Sequence, residues 1–195
     1  MRASGMRRVL IATVLMAATA AAQAEVFDAN ASGDSVRITV NGPLSRLFSD
    51  VKGEYDVGGL FGNDDRDDDI WAAHGGVMLT GDAGAQQANV TAGLGARLQY
   101  VDAEFDDGGA LELGGRLEVR MPGYDRVGFS AYAWDGPEAA SFGDLDDVFE
   151  YAVAIDYEIL RDAAIYIGYR KLEADFGDAG ETEEDGVHGG IRLKF

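Results

Sequence analysis

The side chains best suited to chemistry are two histidines, His74 and His188, with Ser130 and Glu150 as the partners a hydrolase could recruit. A nucleophile, a general base and an orienting carboxylate work only within hydrogen-bond reach of one another. Nothing in the spacing of Ser130, His188 and Glu150 requires that meeting. His74, Ser130 and His188 fall on the polar faces of alternating segments, so histidines held in a polar network are the expectation. A second candidate, Asp65-Arg66-Asp67-Asp68-Asp69-Ile70, begins like a calcium loop. It lacks the glycine at the sixth position and a glutamate at the twelfth. The chain has 27 glycines but no Gly-rich loop leading into a helix, so a phosphate cradle is not indicated. With no cysteine there is neither a disulfide framework nor a thiolate metal site. No catalytic, cofactor-binding or metal-binding residue is therefore assigned, and no enzymatic activity is expected.

The elements that would carry these residues are strands. Between 88 and 101 the even positions are Ala88, Val90, Ala92, Leu94, Ala96, Leu98 and Tyr100, while the odd ones include Asn89, Thr91, Arg97 and Gln99. Leu111, Leu113, Leu117, Val119 and Met121 alternate with Glu112, Arg116, Glu118 and Arg120. Every odd residue from Phe149 to Ile159 is apolar. Such runs suit half-exposed strands, and their length matches the roughly 9–11 residues of a tilted membrane-spanning strand. Weaker copies start near Val51, Trp71, Val127 and Ile165. The chain ends on another, Val187 to Phe195, apolar or glycine at each odd position and His, Gly, Arg and Lys between.

This gives eight strands, with Val36-Arg37-Ile38-Thr39-Val40 as a ninth candidate. Single-chain outer-membrane barrels carry an even number. Either residues 25–50 form an N-terminal segment before an eight-stranded barrel over 51–195, or Val26 to Ala31 adds a further strand and there are ten. The preferred reading is the all-β, antiparallel, up-and-down transmembrane barrel of eight strands. A soluble sandwich alternates in the same way. It sits poorly with Arg and Glu in the middle of polar faces whose opposite faces carry no charge. Glycines such as Gly93, Gly95, Gly114 and Gly115 are expected to permit curvature.

The front of the chain reads as an export signal: Arg2, Arg7 and Arg8, an apolar stretch over 9–21, and the small-x-small site Ala22-Gln23-Ala24. Residues 1–24 are expected to be removed, and the apolar run is too short for an anchor. Of 16 basic residues three lie in this leader, which leaves 13 against 35 acidic ones, a formal charge of −22. That balance argues against nucleic acid, whose phosphates need a basic surface.

Counting back from Phe195 in the periplasm places short turns (122–125 and 160–162) inside and longer acidic connections outside, as such barrels show. The expected outer loops, 62–69, 102–109, 135–147 and 173–185, hold 21 Asp or Glu and one basic residue, Arg66. Carboxylates on flexible backbone suit divalent cations that could bridge to lipopolysaccharide phosphates. Trp71, Tyr100, Trp134, Phe149, Tyr151 and Tyr169 mark an expected outer aromatic girdle, and Tyr124, Tyr157 and Phe195 an inner one. The expected inward face carries Lys52, Arg97, Arg116, Arg120, Arg126, Arg170, Arg192 and Lys194. It also carries Glu54, Asp56, Glu112, Glu118, Glu150, Asp156 and Glu158. Buried charges must pair, so an ion-paired lumen is expected.

Several pieces also resemble a known family. These are Val90-Thr91-Ala92-Gly93-Leu94-Gly95-Ala96-Arg97, Gly108 to Gly115, Ser141-Phe142-Gly143-Asp144, Tyr166-Ile167-Gly168-Tyr169-Arg170 and the ending Asp185 to Phe195. They are similar to YfaZ-type outer-membrane proteins over most of the mature chain. Where such proteins tend to have an aromatic-Ala-Pro run before Ser-Phe-Gly-Asp, this chain reads Tyr132-Ala133-Trp134-Asp135-Gly136-Pro137. The resemblance implies an outer-membrane barrel, supplies no catalytic residue, and implies insertion by the barrel-assembly machinery through the terminal Phe195. The expected role is structural or surface-interacting, with lipopolysaccharide and divalent cations as partners; the alternative is a narrow porin-like channel for small solutes.

Overall fold

The computed structural model describes residues 25–46, 48, 51–63, 69–83, 88–103, 106–177 and 180–195. The expected signal peptide (1–24) and the calcium-like segment at 65–68 lie outside them. Eleven strands run β1 (Val26–Ala31), β2 (Ser35–Pro43), β3 (Glu54–Asn63), β4 (Asp69–Asp82), β5 (Asn89–Ala103), β6 (Asp106–Arg120), β7 (Val127–Gly136), β8 (Ser141–Gly143), β9 (Asp147–Leu160), β10 (Ala163–Asp175) and β11 (Glu181–Lys194). Each strand of the wall pairs antiparallel with its neighbours, and β1 pairs with β11 from Val26↔Lys194 to Ala31↔Gly189. The sheet thus closes into a barrel of ten strands, with β8 as a short addition on β6.

The all-β barrel stands, with ten strands in place of the preferred eight. The wall begins at Val26, so residues 25–50 contribute β1 and β2 rather than a segment outside the barrel. Six-residue β1 and nine-residue β2 fall below or at the lower edge of a spanning length, which left them in the sequence as the ten-strand alternative rather than the preferred count. Closure admits them, because without this hairpin the edges of β3 and β11 would stand unpaired in lipid.

Outward positions carry the apolar belt: Val57, Val77, Leu79, Leu94, Leu98, Leu113, Val153, Ile155, Ile165, Ile167 and Val187 are all exposed. Trp71 stacks with Tyr100, and Phe149, Tyr151 and Tyr169 form a second aromatic group at the same end. Trp134 departs from the expected girdle. As an even residue of β7 it points inward and is buried.

Side chains fill much of the inside. Inward glycines stand directly opposite the bulkiest inward side chains: Gly58 opposite His74, Gly76 opposite Arg97, Gly114 opposite Trp134, Gly128 opposite Asp156, and Gly190 opposite Tyr166. A Cβ on any of these glycines would run into its partner's side chain. Close packing thus adds to the curvature role expected of glycine.

At the end away from the termini the inward residues become apolar. Leu60, Ile70, Ala72, Val101, Ala110, Val148, Leu172 and Ala174 enclose Leu145 and Phe176, which come from the connections. Leu145 is delivered by the segment 137–146, which crosses the mouth. β8 pairs there with Gly108–Ala110 of β6, Asp144 N donates to Asp107 O (3.0 Å), and Asp146 N donates to Asp175 O (2.7 Å). Gly143, at φ +78°, makes the reversal that no β-branched residue would tolerate.

Candidate functional site

Beneath this apolar cap lies the polar network. Its centre is Glu150 of β9, 1% exposed. Its carboxylate accepts from Arg37 of β2, Arg97 of β5 and the Tyr132 hydroxyl of β7, the last at 2.6 Å. Arg97 also pairs with Glu112 of β6 and lies 4.7 Å over the Trp134 ring. One carboxylate therefore ties together strands on opposite walls of the barrel. A second knot joins Arg170 to Glu184 (3.2 Å), Asn30 (2.8 Å) and Ser35 (2.9 Å). Nearer the termini, Arg120 meets Asp156 (2.6 Å) and Glu158 (3.3 Å), Arg192 meets Asp28 (3.2 Å), and Arg116 pairs with Glu54 and Glu118. His74 Nε2 lies 3.0 Å from Asp56.

Thirteen of the fifteen expected lumen charges face inward. Lys52 and Arg126 do not: both are exposed in the connections between strands, where alternation no longer fixes a face. Missed in the sequence were Arg37, Asp28 and Asn30, because β1 and β2 were not required as wall, and Glu184, counted as loop. The alternation Val36-Arg37-Ile38-Thr39-Val40 was the available signal for Arg37.

The imagined hydrolase set does not assemble. Glu150 is occupied by two guanidiniums and a tyrosine. The His188 ring packs edge-on to Tyr166 at 5.8 Å. Among the described residues no hydrogen bond joins Ser130 to either. A cavity of about 350 Å³ remains, lined from Val26, Tyr55 and Lys194 near the termini up to Arg97 and Trp134, with none of the apolar cap in its wall.

The acidic end also differs from expectation. The segments 102–109 and 173–185 are mostly strand, paired as Asp102↔Asp107, Glu173↔Glu183 and Asp175↔Glu181. These carboxylates form an ordered collar beyond the aromatic group rather than flexible loops. Lys171 Nζ holds Glu173 (2.7 Å) and Glu183 (3.0 Å), and these hydrogen bonds, Glu173 first, push its pKa up while Lys171 pulls that of Glu173 down. Repulsion from Glu173 raises Glu181, and partial burial, then Asp175 and Glu173, raises Asp147. Glu173, Glu181 and Glu183 bring one carboxylate oxygen each within 4.8 Å of one another.

The family profile described as YfaZ precursor matches residues 6–195. The chain belongs to the YfaZ family. Among curated proteins none matches. Two solved structures are similar in fold. Neisserial surface protein A (NspA) is 14% identical, covering 88% of this chain and 93% of its own, with a TM-score of 0.38. The KdgM porin is 8% identical, covering 89% and 99%, also at 0.38. Likeness at that level adds nothing to what the closed ladder shows directly. A YfaZ-family barrel with an apolar outer belt and a polar interior is an outer-membrane protein by architecture.

Proposed function

We propose that this YfaZ-family protein is a small closed barrel with a structural or surface-interaction role in the outer membrane, not a catalyst. Its termini lie in the periplasm and its acidic collar lies at the cell surface, where divalent cations link it to lipopolysaccharide phosphates. A cleaved leader exports it, and the barrel-assembly machinery inserts it through its last strand and Phe195. The observation that carries this reading is the double seal of the lumen: the cross-barrel knot at Glu150 and, above it, the apolar cap around Leu145. A solute would have to break buried ion pairs and then cross a predominantly apolar layer that offers little to replace its hydration.

The second reading is a narrow porin-like channel. Ten strands and the 350 Å³ cavity favour it, since a wider ring leaves room that eight strands do not. Single-channel recording in a planar lipid bilayer separates the two. Silence from protein shown to be folded and inserted supports the closed barrel. Discrete, reproducible conductance steps overturn it in favour of the channel.

A further inference from the structure

On the outer wall, one row of facing residues crosses five strands: Leu117↔Ala131↔Val153↔Tyr169↔Val187. Ala131 is the small member, and the wall dips there between Phe129, Leu117 and Val153 into an almost wholly apolar groove of about 530 Å³. Five strands at about 4.8 Å spacing make the groove roughly 19 Å long. An acyl chain spanning one leaflet covers about 15 Å, half of a roughly 30 Å hydrocarbon core, so the groove is long enough to hold one. The upper end, at Tyr169 and Val187, lies in the aromatic group that marks the edge of the belt.

Two residues above Tyr169 on the same face stands Lys171. Among the described residues it is the sole basic side chain on the outer face of the acidic end. An apolar groove long enough for a single chain, with the Lys171 ammonium over its mouth at the belt edge, matches a lipid with one seated tail and an anionic head. Resting on the outer-membrane orientation proposed above, we infer that this groove is a specific site for a phosphorylated glycolipid of the lipid A type. One acyl chain lies along Leu117–Val187 and a phosphate meets Lys171 Nζ. Glu173 and Glu183 already flank that ammonium, so the phosphate approaches a locally negative surface. Binding therefore strengthens when divalent cations screen the collar. No cation site is assigned.

The test is native mass spectrometry of the purified barrel titrated with lipid A, with and without its phosphates, in the presence of magnesium. One lipid A should remain bound per barrel, at least tenfold more tightly with phosphates than without. Ala131→Leu fills the groove and should weaken retention at least tenfold. Ala133→Leu makes the same change one row above, outside the groove, and should leave retention unchanged. Lys171→Gln should abolish the preference for phosphates while keeping the tail-dependent part. Equal retention by Ala131→Leu and wild type, or no phosphate preference in wild type, would overturn the site. Phosphatidylglycerol held as tightly as lipid A would overturn it too, by showing a non-selective apolar contact. Heat-modifiable migration of each variant reports folding independently. Failure here leaves the closed-barrel reading standing, because that reading is decided by conductance.

Discussion

Replacing Glu150 by alanine is the most informative single perturbation of this barrel. The side chain is 1% exposed and is the carboxylate partner of both Arg37 and Arg97, whose side chains are 9% and 1% exposed. After the change Arg97 keeps Glu112, whereas Arg37, among the described residues, keeps no ion-pair partner and hydrogen-bonds the neutral Tyr132 hydroxyl at 3.1 Å. Breaking a buried pair by removing one partner costs about 3–5 kcal/mol, because the remaining charge stays desolvated. Glu158→Gln at the end nearer the termini, where the carboxylate is 25% exposed, should cost below about 1 kcal/mol. Removing both partners, as in Arg37→Met with Glu150→Leu, should recover most of the loss, since replacing an ion pair by apolar groups of similar volume is often neutral. Urea unfolding of the refolded barrel, read by heat-modifiable migration, measures all three. An unchanged midpoint for Glu150→Ala would refute the cross-barrel knot. A double variant as unstable as the single one would refute the desolvation argument. The cap around Leu145 is untouched by either, so both variants should remain non-conducting.

Gly114→Val would drive its side chain into Trp134 and should cost about 3 kcal/mol or prevent folding, whereas Gly189→Ala, facing outward with nothing nearer than 3.8 Å, should stay within about 0.5 kcal/mol; refolding yield and unfolding midpoint report both. Glu181 and Asp147 have raised folded-state pKa values, so the folded barrel binds their protons more readily, and their destabilising effect, present above those values, should fade as pH falls through them. Lys171, raised in the folded state, contributes below its unfolded pKa and loses that contribution as pH rises through the folded one; NMR titration of these side chains should place Glu181 above and Glu173 below an ordinary glutamate. Calcium or magnesium should raise the unfolding midpoint at pH 7 through the acidic collar as a whole, and an unchanged midpoint would remove the cation link. Deleting Phe195 should lower the amount of protein in outer-membrane fractions, and normal levels would count against its role in assembly.

Alternation along the chain was enough for the period-two faces, the transmembrane barrel, and the inward placement of Arg97, Arg116, Arg120, Arg170 and Arg192 and of Glu54, Asp56, Glu112, Glu118, Glu150, Asp156 and Glu158. Alternation is a local property: each strand's side chains must go to one face or the other whatever the rest of the chain does. Strand number was not local. β1 and β2 are short enough to leave eight and ten strands both open, and only ring closure, with β11 and β3 each needing a neighbour, makes them wall. The pairing of charges was equally out of reach. Glu150 meets Arg37 from a position 113 residues away, and which guanidinium reaches which carboxylate depends on which walls face each other across the lumen. The apolar cap came from the same source. Leu145 lies among acidic residues that read as a loop, and only the strap from β7 to β9 turns it inward. The collar completes the pattern. Its charge was legible, but its order was not, because strands extend past the belt wherever a neighbouring strand continues to offer backbone partners.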